Sequence, residues 1–129
     1  MLTKTHVRSY IRTMNKKEFK RLQGMFLKCS PLFVALGDVI RQKIMLEVAE
    51  SGFDGINVTE LASRFKLSRP AVSHHLKVLK DSGLLVSVKK GTQIFYRAEF
   101  KKNLKTVDNL IHSVLEVVEA EEKLRLENN

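Results

Sequence analysis

The feature that most constrains the fold is a pair of short amphipathic segments separated by only three residues, 66–68. The first segment carries a small apolar face and follows two candidate N-caps, Asn57 and Thr59. The second is capped by Ser68, a good N-cap residue, and has Pro70 in its first turn. Its apolar residues recur at the spacing of one helix face: Val72, Leu76 and Leu79. Two short helices joined by so tight a turn predict a helix-turn-helix unit over about residues 58–82.

Two segments rich in β-formers follow this helix pair directly. Leu84–Val88 and Ile94–Arg97 flank a five-residue stretch, 89–93, that contains Gly91. Glycine in a short connection between two such segments is typical of a β-hairpin. The sequence therefore predicts a two-stranded antiparallel hairpin, or wing, over about residues 84–97.

Longer amphipathic segments lie on both sides of this unit. Asn15 and Glu18 have the spacing of an N-cap and its N3 partner. An apolar stripe at alternating steps of three and four residues follows them: Phe19, Leu22, Phe26, Cys29, Phe33 and Leu36. Because Ser30-Pro31 suits a helix start, we expect one helix to end there and another to run to Ser51-Gly52. A last amphipathic helix is predicted over about residues 104–126. The fold class expected is mainly α with a small antiparallel hairpin, as one domain over residues 15–129 behind a basic arm, residues 1–14.

Charge is strongly segmented along the chain. The chain's net charge is +9, and it is unevenly distributed. Residues 1–30 carry +7 and residues 31–63 carry −3. Residues 64–105 carry eleven basic and two acidic side chains, whereas residues 106–129 carry two basic and six acidic ones. The basic block coincides with the helix-turn-helix and the wing, which favours a polyanionic partner. An α-helix fits the major groove of B-DNA, and the polar face of the second helix offers donors and cations to it. The sequence predicts double-stranded DNA as the partner.

The residues expected to bind DNA lie on that helix face and at the hairpin turn. Arg69, Ser73 and Lys77 fall on one stripe. The full predicted set is Ser68, Arg69, Pro70, Ser73, His74, Lys77, Lys80, Lys89, Lys90, Thr92 and Gln93.

Other function classes find little support in the sequence. The chain contains no G-x-x-x-x-G-K-[ST], G-x-S-x-G or H-E-x-x-H motif, so we expect no enzyme, no cofactor and no catalytic residue. The apolar runs fall far short of the roughly 20 residues that span a membrane. The single cysteine, Cys29, cannot form a disulfide within the chain. These features predict a cytoplasmic protein that has no membrane partner.

Four stretches carry a resemblance to a known family. Residues 35–46 (A-L-G-D-V-I-R-Q-K-I-M-L) resemble its pattern A-L-(A/G)-D-P-x-R-x-x-I-L, and residues 72–79 (V-S-H-H-L-K-V-L) resemble V-S-x-H-L-x-x-L. Residues 81–85 and 90–97 resemble the wing strands. The family is the ArsR/SmtB type of bacterial winged helix-turn-helix repressors, and the similarity covers about residues 32–100. Two departures are Val39, where the family usually has proline, and Thr92, where the wing often has arginine.

The resemblance implies a repressor that binds a pseudo-palindromic operator as a homodimer, held by the N- and C-terminal helices. The apolar stripes on both outer helices agree, because they are too wide for a small winged core to bury. The interface residues expected are Phe19, Leu22, Phe26, Leu110, Ile111, Val114 and Val118.

Many family members release DNA when they bind a metal. The first helix of the predicted helix-turn-helix lacks the cysteine pair that one such site needs, and the set Asp108, His112, Glu116 and Glu119 lacks a second histidine. We therefore predict no metal site. A metal sensor, a thiol sensor based on Cys29, and a winged helix that binds only proteins remain as alternatives, and the effector stays unknown.

Overall fold

The computed structural model describes residues 14–128, so all but Met14 of the predicted basic arm lies outside the described residues. The elements follow one another in this order: α1 (Lys16–Leu36), α2 (Val39–Glu50), β1 (Ile56–Asn57), α3 (Val58–Phe65), α4 (Arg69–Asp81), β2 (Leu85–Lys90), β3 (Gln93–Ala98) and α5 (Lys101–Glu127). The prediction of a mainly helical chain with a small antiparallel sheet is confirmed.

The chain divides into two compact units. The winged unit is Ser30–Leu104, and the helical unit is residues 14–29 together with residues 105–128. The expectation of one domain over residues 15–129 stays a prediction.

The break between the first two helices falls at Gly37-Asp38, and the predicted break at Ser30-Pro31 is wrong. Helix α1 continues through Pro31, although proline removes a backbone donor from a helix interior. Buried side chains on both sides of the proline, Cys29 and Leu32, explain why the helix persists. Packing of an apolar face outweighs a local helix-breaking signal here.

Side chains between residues 34 and 42 cap both the C-terminus of α1 and the N-terminus of α2. The Asp38 carboxylate accepts a hydrogen bond from the backbone N–H of Arg41, at 3.0 Å, as the N-cap of α2. The Arg41 guanidinium donates to the carbonyls of Ala35, at 2.9 Å, and Val34, at 2.8 Å, in the last turn of α1. The Arg41 N–H is also the main reason that the pKa of Asp38 is lowered. The A-L-G-D-x-x-R pattern is thus a helix-joining motif.

The sheet has three strands in the order β1-β3-β2, one more than the hairpin predicted from the sequence. Strand β1 pairs antiparallel with β3, and Ile56 lies opposite Tyr96. Gly55 precedes it with a φ of +77°, and a Cβ at that position would lie 2.6 Å from the Tyr96 carbonyl oxygen. Glycine therefore lets the chain approach β3 closely enough to pair. A two-residue strand is too short to show alternation in the sequence.

The hairpin itself is confirmed, with a tighter turn than predicted. Lys90 pairs with Gln93, so the connection is only Gly91-Thr92 rather than a five-residue loop. Gly91 has a φ of +63°, a conformation that glycine adopts without strain at the first position of a two-residue turn.

The core of the winged unit is built from α2, α3, α4 and the sheet. One side of α4 packs inward, and the predicted apolar stripe on this helix is fully buried. The largest buried side chains of this unit are Ile44, Val48, Ile56, Leu61, Val72, Leu76, Leu79, Leu84 and Leu85. Because α4 shares its core with three other elements, its opposite face is held rigidly toward solvent.

The helical unit contains the first part of α1 and most of α5. The predicted N-cap is confirmed, since Asn15 Oδ1 accepts from the Glu18 N–H at 2.8 Å. Leu22, Cys29, Leu110 and Val117 are buried in this unit. The Cys29 thiol donates to the carbonyl of Thr106 at 3.8 Å. Several large apolar side chains of the same two helices remain exposed: Phe19, Phe26, Leu27, Ile111, Leu115, Leu124 and Leu126.

No single helix within residues 14–128 is long and apolar enough to cross a membrane. Helices α1 and α2 reach that length and apolarity only when they are taken together across a bend of 89°.

Candidate nucleic-acid interface

Helix α4 carries one buried face and one exposed face, as the sequence pattern predicts. Its N-cap is Ser68, whose hydroxyl oxygen accepts from the Ala71 N–H at 3.3 Å. The turn before it contains Lys66 in the left-handed region, with a φ of +52°. This residue reverses the chain in the few residues available between α3 and α4. All the predicted DNA-binding residues on α4 and its cap are exposed: Ser68, Arg69, Pro70, Ser73, His74, Lys77 and Lys80.

These exposed residues differ in their engagement with the rest of the chain. The side chains of Arg69, Ser73 and Lys80 have no hydrogen-bond or ion-pair partner among residues 14–128, so they are available to an outside acceptor. Lys77 instead forms an exposed ion pair with Asp81, with an Nζ–Oδ2 distance of 3.1 Å. A surface pair of this kind is worth little energetically, so a phosphate or a base could replace the carboxylate.

The adjacent histidines lie in different environments. His74 is exposed, and its ring centroid is 5.9 Å from that of His75. His75, the histidine at the position of the motif V-S-x-H-L-x-x-L, is half-buried. In the described part of the chain, its Nδ1 is buried without a hydrogen-bond partner. His74 is therefore the member of the pair that faces outward with the rest of the α4 surface.

The wing presents four predicted DNA-binding residues, all of them exposed: Lys89, Lys90, Thr92 and Gln93. Lys89 and Thr92 contact no other side chain by hydrogen bond or ion pair within residues 14–128. Lys90 donates from Nζ to the carbonyl oxygen of Asp54 at 3.1 Å and lies 5.0 Å from the centroid of the Phe95 ring. Gln93 Oε1 accepts from Asn57 Nδ2 at 3.4 Å. The structure therefore divides the wing residues into two free and two engaged side chains.

Reasoning from the sequence missed two features that support this surface: the contacts of Arg64 with α2, and the contact of the predicted cap residue Asn57 with the wing. Arg64 donates to Glu47 at 2.8 Å and to Glu60 at 2.7 Å, and so links α3 to α2. The hydrogen bond to Glu47 is the main reason that the pKa of Arg64 is raised. Asn57 caps α3 by accepting from the Glu60 N–H at 2.9 Å while it also contacts the wing. An i, i+4 charge pair between Glu60 and Arg64 was visible in the sequence, but its extension to Glu47 was not.

The end of α4 is fixed by a contact from the start of α5. Gly83 has a φ of +86°, and its carbonyl oxygen accepts from Asn103 Nδ2 at 2.8 Å. A Cβ at Gly83 would lie 2.6 Å from the same nitrogen. This glycine is therefore required both for the turn and for the close approach of Asn103.

The residues considered for a metal or thiol sensor do not come together into a cluster within the described residues. In the described range, no group of three or more His, Cys, Asp or Glu residues could hold a metal ion. His112 and Glu116 form an exposed i, i+4 pair, with 3.3 Å between His112 Nε2 and Glu116 Oε1. Cys29 is fully buried, the environment of a cysteine that packs as a small apolar side chain.

The comparisons with known proteins agree with this geometry. Residues 38–87 match the family model described as "Bacterial regulatory protein, arsR family". An uncharacterized HTH-type transcriptional regulator of Methanocaldococcus jannaschii is 35% identical over 64% of this chain and 94% of its own length. The transcriptional repressor SdpR of Bacillus subtilis is 34% identical over 50% of this chain and 69% of its own. The solved structure of an ArsR-like transcriptional regulator from Rhodococcus sp. RHA1 superposes with a TM-score of 0.64 and 33% identity, covering 81% of this chain and 89% of that one.

Proposed function

This chain belongs to the ArsR family of bacterial regulatory proteins, and we propose that it is a repressor that binds a pseudo-palindromic operator as a homodimer. Family membership makes it a DNA-binding transcriptional regulator. The proposal adds which residues read DNA, how two copies are arranged on it, and that binding represses transcription.

The observation that carries the proposal is the two-faced character of α4. Val72, Leu76 and Leu79 are fully buried on one side, and the opposite side presents Arg69 and Ser73 to solvent without partners in the described chain. Arginine can donate two hydrogen bonds to guanine, and a serine hydroxyl can donate to or accept from any base. A rigid helix whose exposed face consists of donors and cations is suited to insertion in the major groove.

The dimer is supported by the exposed apolar side chains of the helical unit. Phe26 and Ile111 are about half exposed, at 48% and 52%. Leu22 and Leu110 are already buried within the chain, so the predicted interface narrows to Phe19, Phe26, Ile111, Val114 and Val118. A second copy would remove these side chains from water. Two copies would then place their α4 helices in half-sites about one turn, 10–10.5 bp, or a multiple of it, apart.

The test begins with DNA selected from a random pool by the full-length protein. Fluorescence anisotropy then compares the selected duplex with a scrambled one across a salt series. We expect at least one of Arg69→Ala, Ser73→Ala and Lys77→Ala to lose preference for the selected duplex by a factor equivalent to about 1–3 kcal/mol, while keeping most of its affinity for scrambled DNA.

Lys43→Ala is the matched control, because Lys43 is an exposed cation on α2, outside the proposed interface. It should leave sequence preference unchanged. If all three α4 variants keep the parent's preference, α4 is not the reading element and the proposal is wrong.

A further inference from the structure

The loop between α2 and β1, residues 52–55, is in contact with the wing. Two cationic side chains of the wing make these contacts. Lys90 Nζ donates to the Asp54 carbonyl oxygen at 3.1 Å. The Arg97 guanidinium lies 4.3 Å from the centroid of the Phe53 ring. Because these two cations come from β2 and β3, the loop contacts both strands of the hairpin.

The backbone reinforces the same attachment. Gly55 lies against the Tyr96 carbonyl so closely that a Cβ would be only 2.6 Å from its oxygen. The next residue, Ile56, pairs with Tyr96 in the sheet. Phe53 itself is 81% exposed, so its contact with Arg97 is not a by-product of core packing. We call these contacts of Phe53, Asp54 and Gly55 with the hairpin the loop–wing latch.

Lys89 and Lys90 are neighbours in sequence but differ in what they contact. They stand on opposite faces of β2, because side chains alternate along a strand. Lys90 has a carbonyl acceptor and a ring face beneath its ammonium group, at 3.1 Å and 5.0 Å. The Lys89 side chain has neither, and it forms no hydrogen bond or ion pair with the other residues of the described range. To reach a phosphate, Lys90 would first have to leave two favourable partners, whereas Lys89 would leave only water.

We propose that Lys90 and Arg97 are positioning residues that fix the wing against the 52–55 loop, and that Lys89 supplies the wing's phosphate contact. The inference rests on the proposed function and deepens it. A two-stranded hairpin is marginally stable alone, so the latch restricts its motion before DNA arrives. A wing that is already ordered loses less conformational entropy on binding.

The first test uses the salt dependence of DNA affinity to distinguish a lysine that contacts phosphate from a lysine that only positions the wing. The slope of log K against log salt is negative, and each phosphate contact that is lost reduces its magnitude by about 0.9. We expect Lys89→Ala to show that decrease. We expect Lys90→Ala to weaken binding by about two- to fivefold, the loss of one exposed cation–π contact, with its slope close to that of the parent. Lys90→Arg should restore the affinity, because a guanidinium can donate to the same carbonyl and lie over the same ring.

Phe53→Leu tests the other half of the latch without changing any charge. It removes the ring beneath Arg97, so DNA affinity should fall while the salt slope stays at the parent value. If Lys90→Ala reduces the magnitude of the salt slope as much as Lys89→Ala does, Lys90 is a phosphate contact and the proposal is overturned. It is also overturned if neither Lys90→Ala nor Phe53→Leu alters DNA affinity.

The second test needs no DNA and distinguishes failure of the latch from failure of the proposed function. Loss of the Lys90 hydrogen bond should shift the carbonyl ¹³C resonance of Asp54 and the amide resonance of Gly55 in the free protein. Lys89→Ala should leave both resonances in place. If Lys90→Ala does the same, the latch does not exist in solution. If the resonances move as expected but the parent protein selects no DNA, the latch stands and the proposed function fails.

Discussion

The winged unit and the helical unit differ in how completely each buries its apolar residues. Most of the large buried side chains belong to the winged unit, where Leu76 and Leu79 are fully buried. In the helical unit, two long helices bury few large side chains, among them Leu22 and Leu110, and leave Ile111, Leu115 and Leu124 about half exposed. The winged unit has a core of its own, whereas the helical unit has apolar surface left to cover.

Because of this difference, we expect the winged unit to contribute most of the folding stability and the helical unit to contribute most of the surface for association. Apolar burial stabilises by about 25 cal/mol per Å², so the winged unit gains most of its stability from within the chain. The exposed apolar surface of the helical unit gains nothing until a partner covers it. Substitutions in the two units should therefore have different effects, on unfolding in one and on association in the other.

The largest effect should come from the core of the winged unit. Leu76→Ala removes a side chain that is fully buried, so we expect the free energy of unfolding to fall by about 2–5 kcal/mol. Leu126→Ala, at a position that is 76% exposed in the helical unit, should change it by less than about 0.5 kcal/mol. Urea unfolding followed by circular dichroism measures both. Equal losses would contradict the contrast between the units.

A charge in the helical unit should break assembly rather than folding. Ile111→Asp places a carboxylate in the proposed interface, where it would be desolvated without a partner. We expect a monomer by analytical ultracentrifugation, with the helical circular dichroism retained. Because two half-sites can then no longer be bound together, operator affinity should fall by roughly a hundredfold or more.

Asn109→Asp is the control for that experiment, since it adds the same charge to an exposed position on the same helix. It should leave the dimer intact. If the Ile111→Asp variant is still a dimer, α5 is not part of the interface and this part of the proposal is wrong.

Each unit contains a helix whose N-cap is an asparagine, and the two caps have nearly equal geometry. Removing each cap compares how strongly a local loss in either unit affects the stability of the protein. Asn57 accepts from Glu60 N–H at 2.9 Å in the winged unit, and Asn15 accepts from Glu18 N–H at 2.8 Å in the helical unit. Asn57→Ala should lower the free energy of unfolding by about 1 kcal/mol, and Asn57→Ser should recover most of that loss.

We expect Asn15→Ala to have a smaller global effect, because the start of α1 can open locally without unfolding the core of the other unit. Hydrogen exchange of the first turns of α1 should accelerate instead. A loss as large as that of Asn57→Ala would show that the two units unfold as one.

The smallest effect concerns backbone strain in the winged unit. Lys66 is the described non-glycine residue with a positive φ, at +52°. Lys66→Gly should raise the free energy of unfolding by about 0.5–1 kcal/mol, since relief of the left-handed strain exceeds the extra freedom of glycine in the unfolded chain. Lys66→Ala keeps the Cβ and removes the charge, so no gain is expected. Thermal unfolding that shows the same gain in both variants would assign the effect to charge.

Much of the winged unit could be predicted because its signals are local. The caps at Asn57 and Ser68, the apolar stripe of α4 and the glycine of the hairpin turn each act within four residues along the chain. Such patterns report directly on helix faces and turns. The exposure of the predicted DNA-binding residues on α4 follows from the same periodicity, since these residues lie opposite the buried stripe.

The sequence by itself determined which segments are helical, where α4 buries its apolar face and where its polar face lies. Only the tertiary structure decided that α1 runs through Pro31, that a third strand joins the sheet, and that Lys90 rather than Lys89 is held by Asp54. Each of these outcomes depends on a partner that periodicity does not reveal. Asp54 and Lys90 are separated by 36 residues, and β1 exists only because Gly55 allows it to reach β3. Local patterns set the elements, and contacts between distant residues set which of their side chains remain free to bind.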